Sequence, residues 1–262
     1  MTVDRSATQK HSWTMTRGYL VCTLPRSGSN ILCVALGSTG ALGSPREYFS
    51  RERISRQCEQ SGTGLGSLLE YIERELPPPA AETGGLLSSK LFWFELEALR
   101  ARFGVEGGAT EVMKLIDRAF GRAAYVRLIR KDKVRQAISY IIAYKSGVWW
   151  SLSGDEPQTG VPAPVTFQEI HFWISKLEYW ENCWTALLSE YGSRTLTLYY
   201  EDLEHDLRGA VAKVAAHLGR VLKDSEIDSV TSPLLRQSNE RTELLVSRYV
   251  EWVQAGREPR TK

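Results

Sequence analysis

The sequence predicts an α/β fold with a central, mainly parallel sheet flanked by helices. Short apolar runs of strand length alternate along the chain with longer segments whose apolar residues recur at helical spacing. Strands that alternate with helices form a parallel sheet covered by helices on both faces. The 262 residues are enough to bury one such core. We therefore expect a single domain over residues 18–262, preceded by a flexible polar tail over residues 1–17.

The composition is that of a globular protein without a strong overall charge. Hydrophobic residues make up 42% of the chain and charged residues 24%, as in ordinary folded domains. The 33 basic and 31 acidic residues leave a net charge of +2, which argues against nucleic acid or an anionic membrane as a partner. No apolar run approaches the ~18 residues of a membrane span, and residues 1–17 lack the apolar core of a secretion signal.

The four cysteines show no metal-binding or redox spacing. No two of them form a C-x-x-C motif, and the first two lie within apolar element patterns. Reduced, buried thiols are the ordinary state of such residues in the cytosol. We therefore expect a cytoplasmic protein; the four positions are Cys22, Cys33, Cys58 and Cys183.

The first predicted strand leads directly into a loop suited to an anion. The apolar run 19–24 is followed by the break 25–30, and then by apolar residues at helical spacing from Ile31 until Gly37 and Gly40. Strand, small-residue loop and helix together direct backbone N–H groups and the positive end of a helix dipole at one point, which favours phosphate. The loop side chains that can add hydrogen bonds or flexibility are Arg26, Ser27, Gly28, Ser29 and Asn30.

This loop differs from the loop of nucleotide triphosphatases. The motif G-x-x-x-x-G-K-[ST] places a lysine on the outer phosphates and a hydroxyl on magnesium. Here the loop has no lysine, and Arg26 takes the central place. An arginine-centred loop suits an anion held without a metal. An ordinary strand-to-helix turn with a solvated arginine is the alternative that the local pattern leaves open.

The next segments carry weaker patterns up to the second strand. We expect Arg51–Ser61 to be irregular because its residues are polar and mixed. A short amphipathic helix follows between Leu65 and Leu76 and is stopped by three prolines. The run Leu86–Trp93 predicts a second strand with Lys90 near its end.

The rest of the chain continues the alternation of strands and helices. The predicted elements are helices Glu95–Phe103 and Thr110–Phe120, strand Ala124–Ile129, helix Lys131–Tyr144, loop Ser151–Pro164, a long helix from Phe167 to Leu188, strand Thr195–Tyr200, an alanine-rich helix to Gly219, a polar loop Pro233–Arg241 and a last helix through Trp252.

Three cations lie near the ends of predicted strands. In a parallel sheet, ligands bind beyond the carboxyl ends of the strands. Arg26, Lys90 and Arg130 therefore face one crevice, which points to a ligand with more than one anionic group. Ser139 follows Arg130 by nine residues, two to three turns into the next helix, so a guanidinium and a hydroxyl can hold one phosphate between them.

Six sequence segments resemble the Stf0-type bacterial sulfotransferases. They are YLVCTLPRSGSNIL, GSPREYF, SSKLFW, RLIRKDKVRQAISY, YYEDL and LLRQSNERTELLVSRY, and they occur in the family's order from about Tyr19 to Trp252. The resemblance implies a P-loop-like three-layer sandwich and an enzyme that uses 3′-phosphoadenosine 5′-phosphosulfate (PAPS) as its donor. The product would be 3′,5′-ADP, and no metal would be needed.

The resemblance also assigns roles to individual residues. Residues 26–30 would hold the 5′-phosphosulfate, Arg130 and Ser139 the 3′-phosphate, and a C-terminal loop would close over the nucleotide through Arg236 and Gln237. The family's general base is a glutamate that corresponds to Glu47 in the segment Arg46–Phe49. From the local pattern alone, Glu47 would as readily form a surface ion pair with Arg46 or Arg51.

The implied reaction is an in-line transfer of a sulfuryl group to a hydroxyl of a carbohydrate, trehalose or a related sugar or glycolipid. Glu47 would take the proton of the attacking hydroxyl, while Arg26 and the loop N–H groups stabilise the leaving phosphate. Lys90 would either neutralise the leaving group or support the end of its strand. The sequence departs from the family type at Pro25 and Asn30, and the regions 51–79 and 151–164 match poorly, which leaves the identity of the acceptor open.

Other readings of the same residues stay open. A metal-dependent small-molecule kinase would need a loop lysine and magnesium ligands, and a non-catalytic nucleotide-binding protein would keep the donor pocket alone.

His171 on the long helix either touches the acceptor or is packed or solvated. The oligomeric state is open, with a homodimer as one alternative. None of the four histidines has metal-ligand spacing; they are His11, His171, His205 and His217.

Overall fold

A four-stranded parallel sheet forms the centre of the protein. The structure, a computed structural model, describes residues 18–61, 67–76, 83–149, 164–232 and 240–256. Neighbouring strands run parallel in the order β2-β1-β3-β4. The predicted α/β class is confirmed, and the strands lie where the sequence predicted them: β1 (Gly18–Thr23), β2 (Leu87–Phe92), β3 (Ala124–Ile129) and β4 (Thr195–Tyr199).

The helices of the described residues connect and cover these strands. In chain order they are α1 (Ser29–Ser38), α2 (Arg51–Ser61), α3 (Leu68–Glu75), α4 (Trp93–Phe103), α5 (Gly108–Ala119), α6 (Lys133–Ser146), α7 (Phe167–Ser189), α8 (Tyr200–His205), α9 (Leu207–His217), α10 (Asp224–Asp228) and α11 (Glu240–Gln254). None of them is long and apolar enough to span a membrane.

Successive side chains of β1 enter two separate apolar cores, one on each face of the sheet. Leu20 and Cys22 pack into a core to which α4, α5, α6 and α7 contribute. Tyr19 and Val21 pack into a second core with residues of α1 and α9. The two-residue period of a strand produces this division, and burial on both faces explains why the strands read as continuous apolar runs.

The expectation of an irregular segment over 51–61 is wrong, because this segment forms α2. Of its described side chains only Ile54 is buried, so the helical apolar period is too sparse to detect. Polar contacts fix the helix instead. The Ser50 hydroxyl accepts a hydrogen bond from the backbone N–H of Arg53, and Arg53 pairs with the buried carboxylate of Glu75 at 3.0 Å.

Some expectations concern residues outside the described ranges. These are the flexible tail over residues 1–17, nearly all of the loop predicted over 151–164, and the nucleotide-closing residues Arg236 and Gln237.

Candidate functional site

The loop between β1 and α1 has the backbone geometry of an anion site. Arg26 and Gly28 both adopt left-handed conformations, with φ of 63° and 81°. Gly28 is the N-cap of α1, no side chain caps this helix end, and its first turn contains no acidic residue. Among the described residues, no side chain caps the first N–H groups of α1, and this helix N-terminus with its dipole suits an anionic ligand.

Tyr200 packs directly over this loop. A Cβ atom added to Gly28 would lie 2.4 Å from Cδ2 of the Tyr200 ring. The ring also stacks on the guanidinium of Arg130, whose Cζ is 4.5 Å from the ring centroid. Tyr200 comes directly after β4, so it lies at the same sheet edge as Arg130 after β3. Its position at the end of a predicted strand was a usable signal in the sequence.

We expect Gly28→Ala to destabilise the protein by roughly 2–4 kcal/mol, because the cost of an alanine in a left-handed conformation is added to the cost of the clash with Tyr200. Gly40→Ala is the matched control, since Gly40 also has a positive φ of 67° but no atom within 4 Å of an added Cβ. The control should lose only about 1–2 kcal/mol. Urea unfolding of both variants measures the difference, and equal losses would show that Tyr200 does not pack against Gly28.

Arg26, Arg130 and Ser139 form one cluster at the carboxyl edge of the sheet. Arg26 Nε donates to the Ser139 hydroxyl at 2.8 Å, and Arg130 Nη1 donates to the carbonyl oxygen of Arg26 at 3.0 Å. A second nitrogen of the Arg26 guanidinium donates to the carbonyl oxygen of Trp149. The structure thus brings together the two arginines that the resemblance implies for the two anionic ends of the donor.

The guanidinium groups of Arg26 and Arg130 lie close enough for the charge of Arg130 to act on Arg26, and the carboxylates of Asp132, Glu204 and Glu201 act on Arg130. Burial, together with the nearby positive charge of Arg130, lowers the pKa of Arg26 to about 10. Burial also lowers the pKa of Arg130. The Nε atom of Arg130 is buried and has no hydrogen-bond partner among the described residues. An unsatisfied buried N–H beside a second cation fits a phosphate group, which would supply both the acceptor and the charge.

Glu47, Lys90 and Asn30 form a second cluster on the other side of the loop. Lys90 Nζ lies 2.6 Å from Glu47 Oε1 and also donates to the side-chain oxygen of Asn30. The lysine side chain is 5% exposed, whereas that of Glu47 is 40% exposed, so the carboxylate is accessible. The sheet fixes this pair, because the carbonyl oxygen of Arg46 accepts the backbone N–H of Lys90 at 2.9 Å.

The loop hydroxyls contribute less than the sequence suggested. The Ser27 hydroxyl is buried and lies 2.6 Å from the Thr23 hydroxyl, which in turn donates to the carbonyl oxygen of Leu128. Ser27 therefore stabilises the base of the loop, and its backbone N–H is what remains for a ligand. Ser29 is buried in the first turn of α1. Asn30 uses its oxygen on Lys90, so its amide N–H groups are the donors that remain.

Glu95 is a buried carboxyl near the second cluster, and the sequence pattern predicted no role for it in the site. Its Oε2 accepts the backbone N–H of Phe92 at 2.8 Å and completes the first turn of α4. Burial raises the pKa of Glu95 to about 8, against the effect of the Phe92 hydrogen bond and with a further rise from Glu47. The raised pKa favours the neutral form of this carboxyl. A glutamate at the third position of a helix commonly caps the helix N-terminus, so the sequence pattern alone indicates only a capping role for Glu95.

The one described contact of His171 that concerns its ring is with another helix and not with the two clusters. His171 Nδ1 lies 3.2 Å from the hydroxyl of Tyr249, which attaches α7 to α11. In the part of the chain that the structure describes, no group of three or more His, Cys, Asp or Glu side chains is arranged to hold a metal ion.

Comparison with known proteins identifies relatives over nearly the whole chain. Residues 18–251 match the family model described as Stf0 sulphotransferase. A trehalose 2-sulfotransferase of Mycobacterium tuberculosis (strain Erdman) is 26% identical over 259 residues, which cover 89% of this chain and 94% of that protein. A trehalose 2-sulfotransferase of Mycolicibacterium smegmatis is also 26% identical, covering 88% of this chain and 93% of that protein.

Among solved structures, the sulfotransferase STF9 from Mycobacterium avium superposes with a TM-score of 0.47 at 9% identity, covering 92% of this chain and 77% of that chain.

Proposed function

Because the chain belongs to the Stf0 sulphotransferase family and is a transferase of that type, we propose that it moves a sulfuryl group from PAPS to a hydroxyl of a carbohydrate. The observation that carries the proposal is the pair of clusters on either side of one loop. Arg26, Arg130 and Ser139 lie on one side, and Glu47 and Lys90 lie on the other. An anionic donor and a hydroxyl acceptor can thus be held next to each other.

The donor side has the charges that a nucleotide with two anionic ends requires. The uncapped N-terminus of α1 and the backbone of residues 26–30 suit the 5′-phosphosulfate. Arg130, with its unpartnered Nε, and Ser139 suit the 3′-phosphate. The aromatic ring of Tyr200 packs over Gly28 in this loop.

The acceptor side carries the base. PAPS supplies an activated sulfuryl group, and its S–O bond to the phosphate breaks as the new S–O bond to the acceptor forms, leaving 3′,5′-ADP. The Glu47 carboxylate takes the proton of the attacking hydroxyl, and Lys90 holds that carboxylate at 2.6 Å. Arg26 and the α1 N–H groups stabilise the charge that develops on the leaving phosphate. The positioned cations and dipoles make the transfer possible without a metal.

We expect the purified protein to convert PAPS to 3′,5′-ADP in the presence of EDTA and a sugar acceptor, and to use no ATP. The assay follows 3′,5′-ADP and the transfer of labelled sulfate to trehalose, to other disaccharides, to glycolipids and to phenols. Magnesium-dependent consumption of ATP would replace the proposal with a kinase. Binding of 3′,5′-ADP without turnover on any acceptor would indicate a nucleotide-binding protein that is not a catalyst.

A further inference from the structure

A continuous series of aromatic rings joins the two clusters of the candidate site. We call these six rings the aromatic wall: Phe92, Phe94, Trp180, Trp173, Tyr140 and Trp149. Successive ring centroids are 5.3, 5.7, 6.2, 4.2 and 5.7 Å apart in that order. The rings come from three elements that are far apart in sequence, namely the junction of β2 and α4, helix α6 with the residues after it, and helix α7.

Both ends of the aromatic wall touch residues of the proposed chemistry. At one end Lys90, the partner of Glu47, has its Nζ 5.1 Å from the centre of the Phe92 ring. At the other end the carbonyl oxygen of Trp149 accepts a hydrogen bond from the Arg26 guanidinium. The wall therefore extends from Lys90, the partner of the proposed base, to a residue that is hydrogen-bonded to the donor loop.

The aromatic wall also contains polar groups, namely the indole N–H of Trp180 and the nearby ammonium group of Lys176. Trp180 is 6% exposed, and its Nε1 has no hydrogen-bond partner among the described residues. Lys176 Nζ lies 5.0 Å from the centre of the Trp180 ring. A buried indole N–H without an acceptor is costly. A ligand that brings oxygen atoms to this position would satisfy it, whereas a purely hydrocarbon ligand would not.

We infer that the aromatic wall is the acceptor subsite and that it binds a pyranose ring by stacking. One face of a pyranose presents polarised C–H groups, which the negative face of an aromatic ring attracts, while its hydroxyls remain for N–H, ammonium and carboxylate groups. The wall supplies this combination next to Glu47. The inference rests on the proposed function for its chemistry, and it assigns the acceptor contact to Trp173 and its neighbours.

The test is sugar binding by Trp173 variants, measured separately from turnover. Trehalose, maltose and methyl glucoside are titrated into the protein with and without 3′,5′-ADP, using saturation-transfer NMR. We expect wild type to bind at least one of them, Trp173→Ala to weaken that affinity by about tenfold or more, and Trp173→Phe to retain it within about threefold. Affinity for 3′,5′-ADP should not change in either variant.

Trp252→Ala is the matched control, because Trp252 is also partly buried but packs against Phe167 and Tyr249, away from the aromatic wall. Thermal melts of all variants check folding, and Trp173→Phe keeps the test valid if the alanine variant unfolds. Unchanged sugar affinity in Trp173→Ala, no binding of any of the sugars to wild type, or Trp173-dependent binding of n-octanol in place of sugar would each overturn the inference. If the wild-type protein bound a sugar but not 3′,5′-ADP, the result would contradict PAPS as the donor and leave the acceptor subsite in place.

Discussion

Replacing Glu47 with glutamine should lower kcat by about 10²–10⁴-fold while the affinity for 3′,5′-ADP stays unchanged. Glutamine has the shape of glutamate and can still accept a hydrogen bond from Lys90 Nζ, which lies 2.6 Å from Oε1 of the carboxylate. It cannot take the proton of an acceptor hydroxyl. Steady-state kinetics with PAPS and the best acceptor of the panel, together with calorimetric titration of 3′,5′-ADP, measure the two effects.

Glu52→Gln is the matched control for this change. Glu52 is exposed in the first turn of α2, and its charge acts on the same buried Glu95 as the charge of Glu47 does. Its removal changes the local charge by the same amount but removes no proposed base, so kcat should change less than about threefold. If Glu47→Gln retained wild-type kcat, or if both variants lost activity equally, Glu47 would not be the base.

Replacing Arg130 with glutamine should weaken the binding of 3′,5′-ADP by about 10–10²-fold. The change removes a buried cation that has an unpartnered Nε and stacks on Tyr200. Because Arg130 also donates to the carbonyl oxygen of Arg26, a loss of affinity caused by a distorted loop must be distinguished from the loss of a contact with the 3′-phosphate. Binding of 5′-AMP, which lacks the 3′-phosphate, makes that separation: its affinity should fall much less than that of 3′,5′-ADP.

The control for Arg130→Gln is Arg118→Gln. Arg118 is an exposed arginine in the last turn of α5, before β3 begins, so it lies at the opposite end of that strand. Its replacement should leave both nucleotide affinities unchanged. Equal losses of 5′-AMP and 3′,5′-ADP affinity in Arg130→Gln would mean that Arg130 only supports the loop.

The strand ends could be predicted from the sequence because strands buried on both faces are visible as apolar runs. Once β1 and β3 are located, Arg26 and Arg130 must lie at the same edge of a parallel sheet. The role of Ser139 beside Arg130 was implied by the resemblance, and the structure places its hydroxyl 2.8 Å from Arg26 Nε. The role of Glu47 was implied by the resemblance alone, because its position depends on an isolated bridge between Arg46 and Ser89 that no local pattern shows.

Features that depend on contacts between distant residues escaped prediction. The hydroxyl of Ser27 points inward to the Thr23 hydroxyl, which donates to the carbonyl oxygen of the distant Leu128. Helix α2 forms although Ile54 is its one buried residue among the described side chains. Among the aromatic residues of α7, Trp184 is fully buried. Trp173, on the same helix, is instead partly exposed beside Tyr140 of α6. Which helical residues stay exposed depends on the neighbouring helix, and the sequence does not show that neighbour.

The most direct measurement is the ratio of two nucleotide affinities in the wild-type protein. The proposal requires that one pocket at the carboxyl edge of the sheet recognises both anionic ends of the donor through Arg26 and Arg130. Calorimetric titration in EDTA should show that 3′,5′-ADP binds one to one and at least about tenfold more tightly than 5′-AMP. Equal affinities for the two nucleotides, or no binding of 3′,5′-ADP, would contradict it.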